Sequence, residues 1–209
     1  MKGRSQKSEA GSQKAYPAAV ILAGGASRRM GSPKALLVAP GGETFIDTLI
    51  GVLGASCAPV IVVLGHEAAR IRDGAARGGE AVFVFNEGYA AGQLSSLQCG
   101  LRAVPAAASG VLFMPVDLPL VRAETVAKLV SALPGAQLAI PRFEGRHGHP
   151  VCCSRELIPE FLALAAGAQA RDVIHAHAAR YVDVDDPGVV RDIDDREAYR
   201  SLIESAGSR

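Results

Sequence analysis

Three cations stand close together early in the chain. Arg28, Arg29 and Lys34 fall in the run Leu22-Ala23-Gly24-Gly25-Ala26-Ser27-Arg28-Arg29-Met30-Gly31-Ser32-Pro33-Lys34. Glycine lets a backbone come close to a ligand, and Arg and Lys make charge-assisted bonds to phosphate oxygens. The spacing is not the G-x-G-x-x-G dinucleotide fingerprint. It is not a Walker A loop either, because no Gly-Lys-Ser/Thr closes it. What remains is a glycine-rich loop that can wrap a triphosphate with backbone N–H groups and stabilise charge during transfer. A tight turn with solvated bases is the competing reading.

Asp117 is the second candidate. It ends the most apolar run, residues 111–116, and Leu118-Pro119 follow it. The carboxyl end of a central strand is where α/β sheets keep their ligands, and magnesium takes one or two carboxylates plus phosphate oxygens. An Asp that merely caps a turn is the alternative. A second carboxylate can come from the acidic cluster at 183–197, with Asp192 and Asp194 as candidates. Most of that cluster reads as a solvated face. Gln93, Ser95 and Ser96, in a glycine-bounded loop at a helix start, offer an amide and two hydroxyls to a base or ribose, or a helix cap. His147 and His149 lack the further ligands a zinc site needs, and His175 and His177 face different ways on a helix. There is no Gly-x-Ser-x-Gly elbow and no nucleophile paired with a base. Direct in-line displacement at a phosphate therefore fits better than covalent catalysis.

These groups need a scaffold. Residues 18–22 are continuously apolar, as a strand covered on both faces should be. Further strands are expected at 60–64, 81–85, 111–116 and 137–142. Thr44 caps a helix to about residue 56, with Ile46, Leu49, Ile50 and Leu53 on one face. Other helices are expected at 68–73, 97–104, 122–133, 154–164, 170–178 and 195–205. Residues 181–185 and 192–194 alternate like edge strands. Strands alternating with helices argue an α/β fold with a mostly parallel central sheet flanked by helices.

The bulk numbers are those of an ordinary soluble globular protein. The chain has 209 residues, 22 Lys and Arg against 21 Asp and Glu, and a net charge of +1. That balance gives no support for a nucleic-acid or membrane partner. No apolar run approaches the ~20 residues of a membrane span. Residues 1–16 are read as a disordered tail on a cytoplasmic protein and 17–209 as one domain. Cys57, Cys99, Cys152 and Cys153 form no Cys-x-x-Cys pair and are read as free thiols.

The loop from Leu22 to Lys34 resembles the L-A-[GA]-G-x-S-x-R-M-G-x-x-K signature of the MobA-like nucleotidyltransferases. Gln93 to Leu97, Val116-Asp117-Leu118-Pro119, Gly148-His149-Pro150-Val151 and Asp192-Ile193-Asp194 resemble later segments of the molybdenum cofactor cytidylyltransferases within that family. The resemblance covers about residues 18 to 200. It implies a Rossmann-like, GT-A-like nucleotidyltransferase fold, magnesium dependence, and transfer of a nucleoside monophosphate from an NTP to a phosphate acceptor with release of pyrophosphate. CTP is the favoured nucleotide and molybdopterin cofactor the acceptor, with a molybdoenzyme or its chaperone as a further partner.

By the same resemblance, Arg28, Lys34 and Asp117 are catalytic. Leu22, Ala23, Gly24, Gly25, Ser27, Arg28, Lys34, Gln93, Ser95 and Ser96 hold the nucleotide. Gly148, His149 and Pro150 face the acceptor, and Asp117 with Asp194 holds the metal. Three departures bear on substrate choice. Leu22-Ala23-Gly24-Gly25 matches the guanylyl branch, where the cytidylyl branch has Leu-Ala-Ala-Gly. Gly167-Ala168-Gln169-Ala170-Arg171 stands where Gly-Asp-x-Gly-Ala-Arg is expected, and Asp195-Arg196 replaces Thr-Pro. A guanylyltransferase, a sugar- or polyol-phosphate nucleotidyltransferase and a nucleotide-binding protein without turnover are the alternatives.

Overall fold

The structure is a computed structural model that describes residues 15–27 and 29–207. The first strand, β1 (Ala18–Ala23), is buried along its whole length. Ala19, Ile21 and Ala23 face one core and Ala18, Val20 and Leu22 the other. This two-sided burial is why the strand reads as an unbroken apolar run. Helix α1 (Phe45–Gly54) follows, and Thr44 accepts a bond from the Asp47 N–H as its N-cap. Next come β2 (Val60–Leu64), α2 (Ala68–Gly74) and β3 (Ala81–Phe85). Then α3 (Gln93–Arg102), β4 (Gly110–Pro115) and α4 (Ala123–Ala132) complete the first part. The second part holds β5 (Leu138–Phe143), β6 (Arg146–His147) and β7 (Val151–Ser154). Helices α5 (Ile158–Ala163) and α6 (Ala170–Ala176), strand β8 (Ala179–Asp183) and helix α7 (Arg196–Gly207) end it.

The eight strands among the described residues join one sheet in the order β3-β2-β1-β4-β7-β5-β6, with β8 beside β5. The pairs β2–β3, β1–β2, β1–β4 and β5–β8 are parallel. One core lies under α1, α4 and α7, and contains Phe45, Ile46, Leu49, Val126, Leu129 and Leu202. The other lies under α3, α5 and α6, and contains Leu97, Leu101, Phe161 and Val173. Phe113 of β4 meets Phe161 edge-on at 5.5 Å there.

The sheet is mostly parallel, as expected. It is parallel in its first half and mixed in its second, because β7 runs antiparallel between β4 and β5. The turn at Glu144-Gly145, both at positive φ, folds the chain straight back on itself. Three expectations about single elements need correction. Helix α3 begins at Gln93 rather than at Leu97. Gly92, at φ 108°, makes the turn that starts the helix early, and no serine side chain caps it. The helix expected over 154–164 is a 3-10 turn at Arg155–Leu157 followed by α5. Residues 192–194 are not a strand. Their alternation arises because Ile193 is fully buried while its N–H donates to the Asp117 carbonyl at 2.8 Å. The tail expected over residues 1–16 lies, up to residue 14, outside the described residues.

Candidate active site

The loop after β1 turns tightly. Ser27 has a positive φ of 47°, and its carbonyl accepts from the N–H groups of Met30 (2.9 Å) and Gly31 (3.3 Å). Its hydroxyl accepts from the Lys34 backbone N–H at 3.2 Å, which closes the loop onto the start of a 3-10 turn at Lys34–Leu36. Next to β1, β4 ends at Pro115, and the Val116 N–H still donates to the Leu22 carbonyl at 3.1 Å. Asp117 therefore leaves the sheet beside the loop.

Lys34 joins the charged groups. Its ammonium lies 3.0 Å from Asp117 Oδ2 and 2.6 Å from Asp194 Oδ1. Arg29 reaches the other oxygen of Asp194 at 3.2 Å. Burial lowers the Lys34 pKa, but the bonds and charges of Asp194 and Asp117 outweigh it, and the net shift is upward. The hydrogen bond from Lys34 holds the Asp194 carboxyl below the usual carboxylate range. The Lys34 ammonium is thus shared between the two acids. Such a donor set suits a hard divalent cation, which takes one or two carboxylates and completes its shell with water and phosphate oxygens. Asp117 and Asp194 are the residues that would hold it. Asp192 is exposed and takes no part in this cluster.

Asp194 is placed by contacts made before it in the chain. Asp186 is 2% exposed. It accepts from the Arg122 N–H (2.9 Å), the Thr125 hydroxyl (2.7 Å) and the Gly188 N–H (3.0 Å), which pins the closing segment to the start of α4. The Val189 carbonyl accepts from the His149 N–H at 2.9 Å. A Cβ on Gly148 would lie 2.1 Å from that carbonyl oxygen, so only glycine fits where the two loops meet.

A cavity of about 340 Å³ opens over the cluster. Leu22, Ala23, Gly24, Gly25, Ser27, Lys34, Gln93, Ser96, Asp117 and Asp194 all line it, as do Arg29 and Tyr89. Arg28 lies outside the described residues. Ser95 does not line it. Its hydroxyl is turned to the carbonyls of Gly88 (3.0 Å) and Gly92 (2.8 Å). A second cavity of about 470 Å³ shares Leu22, Gly92, Gln93 and Pro115 with the first, and adds His149, Arg171 and Ile174. Gly148 and Pro150 line neither cavity. Burial lowers the His149 imidazole pKa, against opposing effects of the Phe113 backbone and Asp117, so the ring is neutral at pH 7.

Arg29 is one of the three loop cations picked out from the sequence. Tyr89 was not, and nothing local in the sequence marks it.

Two neighbouring cavities at the carboxyl ends of parallel strands, one of them charged, suit a nucleotide beside a second substrate. A family model for the MobA-like NTP transferase domain matches residues 19–181. The chain belongs to the MobA-like NTP transferase family. Like the rest of that family, it is a nucleotidyltransferase. A "Probable molybdenum cofactor guanylyltransferase" of Mycobacterium avium (strain 104) is 29% identical over 201 residues, covering 90% of this chain and 95% of the relative. The crystal structure of Rv0371c from Mycobacterium tuberculosis H37Rv superposes with a TM-score of 0.78 at 28% identity, covering 90% of this chain and 98% of the other. The same protein in complex with manganese gives a TM-score of 0.74 at 28% identity, over 91% and 99% of the two chains. No helix among the described residues is long and apolar enough to cross a membrane.

Proposed function

We propose that this MobA-like enzyme transfers a nucleoside monophosphate from an NTP to the terminal phosphate of a molybdopterin-type cofactor, with release of pyrophosphate. The observation that carries the reading is the sharing of the Lys34 ammonium between Asp117 and Asp194, at the mouth of a glycine-rich loop. The N–H groups of that loop, with Lys34 and Arg29, neutralise the triphosphate and orient its α-phosphorus. Gln93 and Ser96 hold the nucleoside. The acceptor phosphate enters from the second cavity, beside His149 and Arg171, and its oxygen attacks the α-phosphorus in line with the departing pyrophosphate. A divalent cation on Asp117 and Asp194, Mg2+ in this reading, supplies further positive charge against the phosphates when bound. Residues 17–209 act as one domain.

GTP is the nucleotide we favour. The relatives carry the name guanylyltransferase, and Gly24 has no methyl where the cytidylyl branch has alanine. CTP is the second reading, supported by the likeness of the Gln93 and Gly148-His149-Pro150 segments to the cytidylyl branch. The experiment is pyrophosphate release across the four NTPs with Mg2+, with and without molybdopterin cofactor. Release that needs the cofactor and one NTP supports the reading. Release only with a sugar or polyol phosphate overturns the acceptor, and nucleotide binding with no release for any acceptor overturns the activity.

A further inference from the structure

Asn86, at the end of β3, is 8% exposed and its amide has only one consistent orientation. The Gly88 backbone N–H, which can only donate, lies 3.0 Å from Oδ1. The other end is therefore the Nδ2 amine. That amine donates to Ser95 Oγ at 2.9 Å and to Ser96 Oγ at 3.1 Å. Each hydroxyl has accepted one bond and has one proton left to give. The Ser95 proton has carbonyls waiting, those of Gly88 and Gly92. The Ser96 hydroxyl makes no such bond among the described residues, and Ser96 lines the first cavity. Its oxygen lies 3.1 Å from where a Cβ on Gly24 would be, against the backbone of the phosphate loop.

We infer that Asn86 is a positioning residue that fixes the Ser96 hydroxyl as a hydrogen-bond donor to an acceptor atom on the nucleobase. The inference rests on the reading of the first cavity as the nucleotide site. Ser96 sits with Gly24, Tyr89, Gly92 and Gln93, an uncharged stretch of wall. The charges of Arg29, Lys34, Asp117 and Asp194 belong to the phosphate end. A neutral wall with one directed proton suits the base. Guanine O6 or N7, and cytosine O2 or N3, are acceptors of the required kind.

Replacing one atom tests the direction of this chain of bonds. Asn86→Asp keeps an oxygen for the Gly88 N–H but turns the amine into a second acceptor. Ser95 and Ser96 must then donate to it, and Ser96 turns a lone pair toward the cavity. The binding of GTP and CTP is titrated at equilibrium, without acceptor, for the unsubstituted full chain, N86D, S96A and the double variant. Their 2′-deoxy analogues are titrated alongside, with thermal melting as the control for folding. Binding ~10-fold weaker in N86D is expected, from the cost of leaving a buried polar group unpaired. S96A is expected to be weaker too, and to cost nothing more when added to N86D, because both variants break one contact.

Nucleotide binding equal in all four proteins overturns this inference alone. A loss seen with ribonucleotides and absent with the 2′-deoxy analogues puts the proton on the sugar and overturns the base assignment. No binding of any nucleotide to the unsubstituted protein overturns the functional reading and this inference with it. If N86D does not fold, S96A decides by itself, since it leaves the bonds of Asn86 to Gly88 and Ser95 in place.

Discussion

The Ile193 N–H donates to the Asp117 carbonyl at 2.8 Å, and this bond brings together two carboxylates that lie far apart in sequence. Asp117 leaves β4, while Asp194 belongs to an irregular segment next to α7. With Ile193 buried, Asp194 is turned to the cavity, where Lys34 meets both acids.

Asp117→Ala should lower turnover by about 10³-fold, since a metal-binding carboxylate accounts for several kcal/mol of transition-state stabilisation. The fold should persist, because the backbone carbonyl that anchors Ile193 is retained. Pyrophosphate release and circular dichroism check the two halves of this expectation, and near-normal metal-dependent turnover is the outcome that sinks it.

Lys34→Met keeps the length of the side chain and removes its charge. Turnover should fall by about 10²- to 10³-fold through loss of charge stabilisation at the phosphates. Mn2+ binding without nucleotide, followed by electron paramagnetic resonance, should tighten, because the ammonium no longer competes for Asp117 and Asp194. Weaker Mn2+ binding in the variant contradicts this account of the cluster.

Asp186→Ala strands the Arg122 N–H, the Thr125 hydroxyl and the Gly188 N–H. Unpaired buried donors cost about 1–3 kcal/mol each when water cannot reach them. Urea unfolding should show a loss of about 2–4 kcal/mol, reduced from the simple sum by partial solvation. Turnover should fall as well, since this residue anchors the segment that carries Asp194.

The thiols give a pH dependence. Burial pushes the Cys57 and Cys153 pKa up to about 12, and Cys152 is also strongly raised. In the unfolded chain these thiols ionise near pH 9. Between those values the folded state holds more protons than the unfolded one, so stability is full below pH 9 and falls as pH rises toward 12. Urea midpoints at pH 8, 9 and 10 should decline in that order. In the native protein at pH 8, Cys99 should react with a disulfide reagent well before the other three.

Much of this molecule could be read from residue types because local rules and burial agree. The unbroken apolar run of β1 reflects a strand with a core on each face, and the bond of Thr44 to Asp47 is the cap its residue type promised. The glycine-rich loop and Asp117 stand out in the sequence because they follow the most apolar strands, and the structure brings both to one cavity. Other features depend on contacts distant in sequence. That Asp194 rather than Asp192 meets Lys34 follows from burial of Ile193, and the early start of α3 from the backbone of Gly92. Asn86 looked like an ordinary loop residue. Its amide donates to two hydroxyls nine and ten residues further on, a pairing that no pattern of hydrophobicity reports. The antiparallel insertion of β7 between β4 and β5 is a pairing of distant segments that the apolar runs alone do not specify.

The fastening of the closing segment to the loops after β4 and β7 also has a consequence for synthesis. A nascent chain emerging from the ribosome can pair β1 with β2 and β4 while Asp194 has yet to be made. At that stage the glycine-rich loop has only one of its two neighbouring acids, and Lys34 a single partner. The full charged cluster therefore assembles late and all at once, when the last segment docks, rather than growing with each strand added to the sheet.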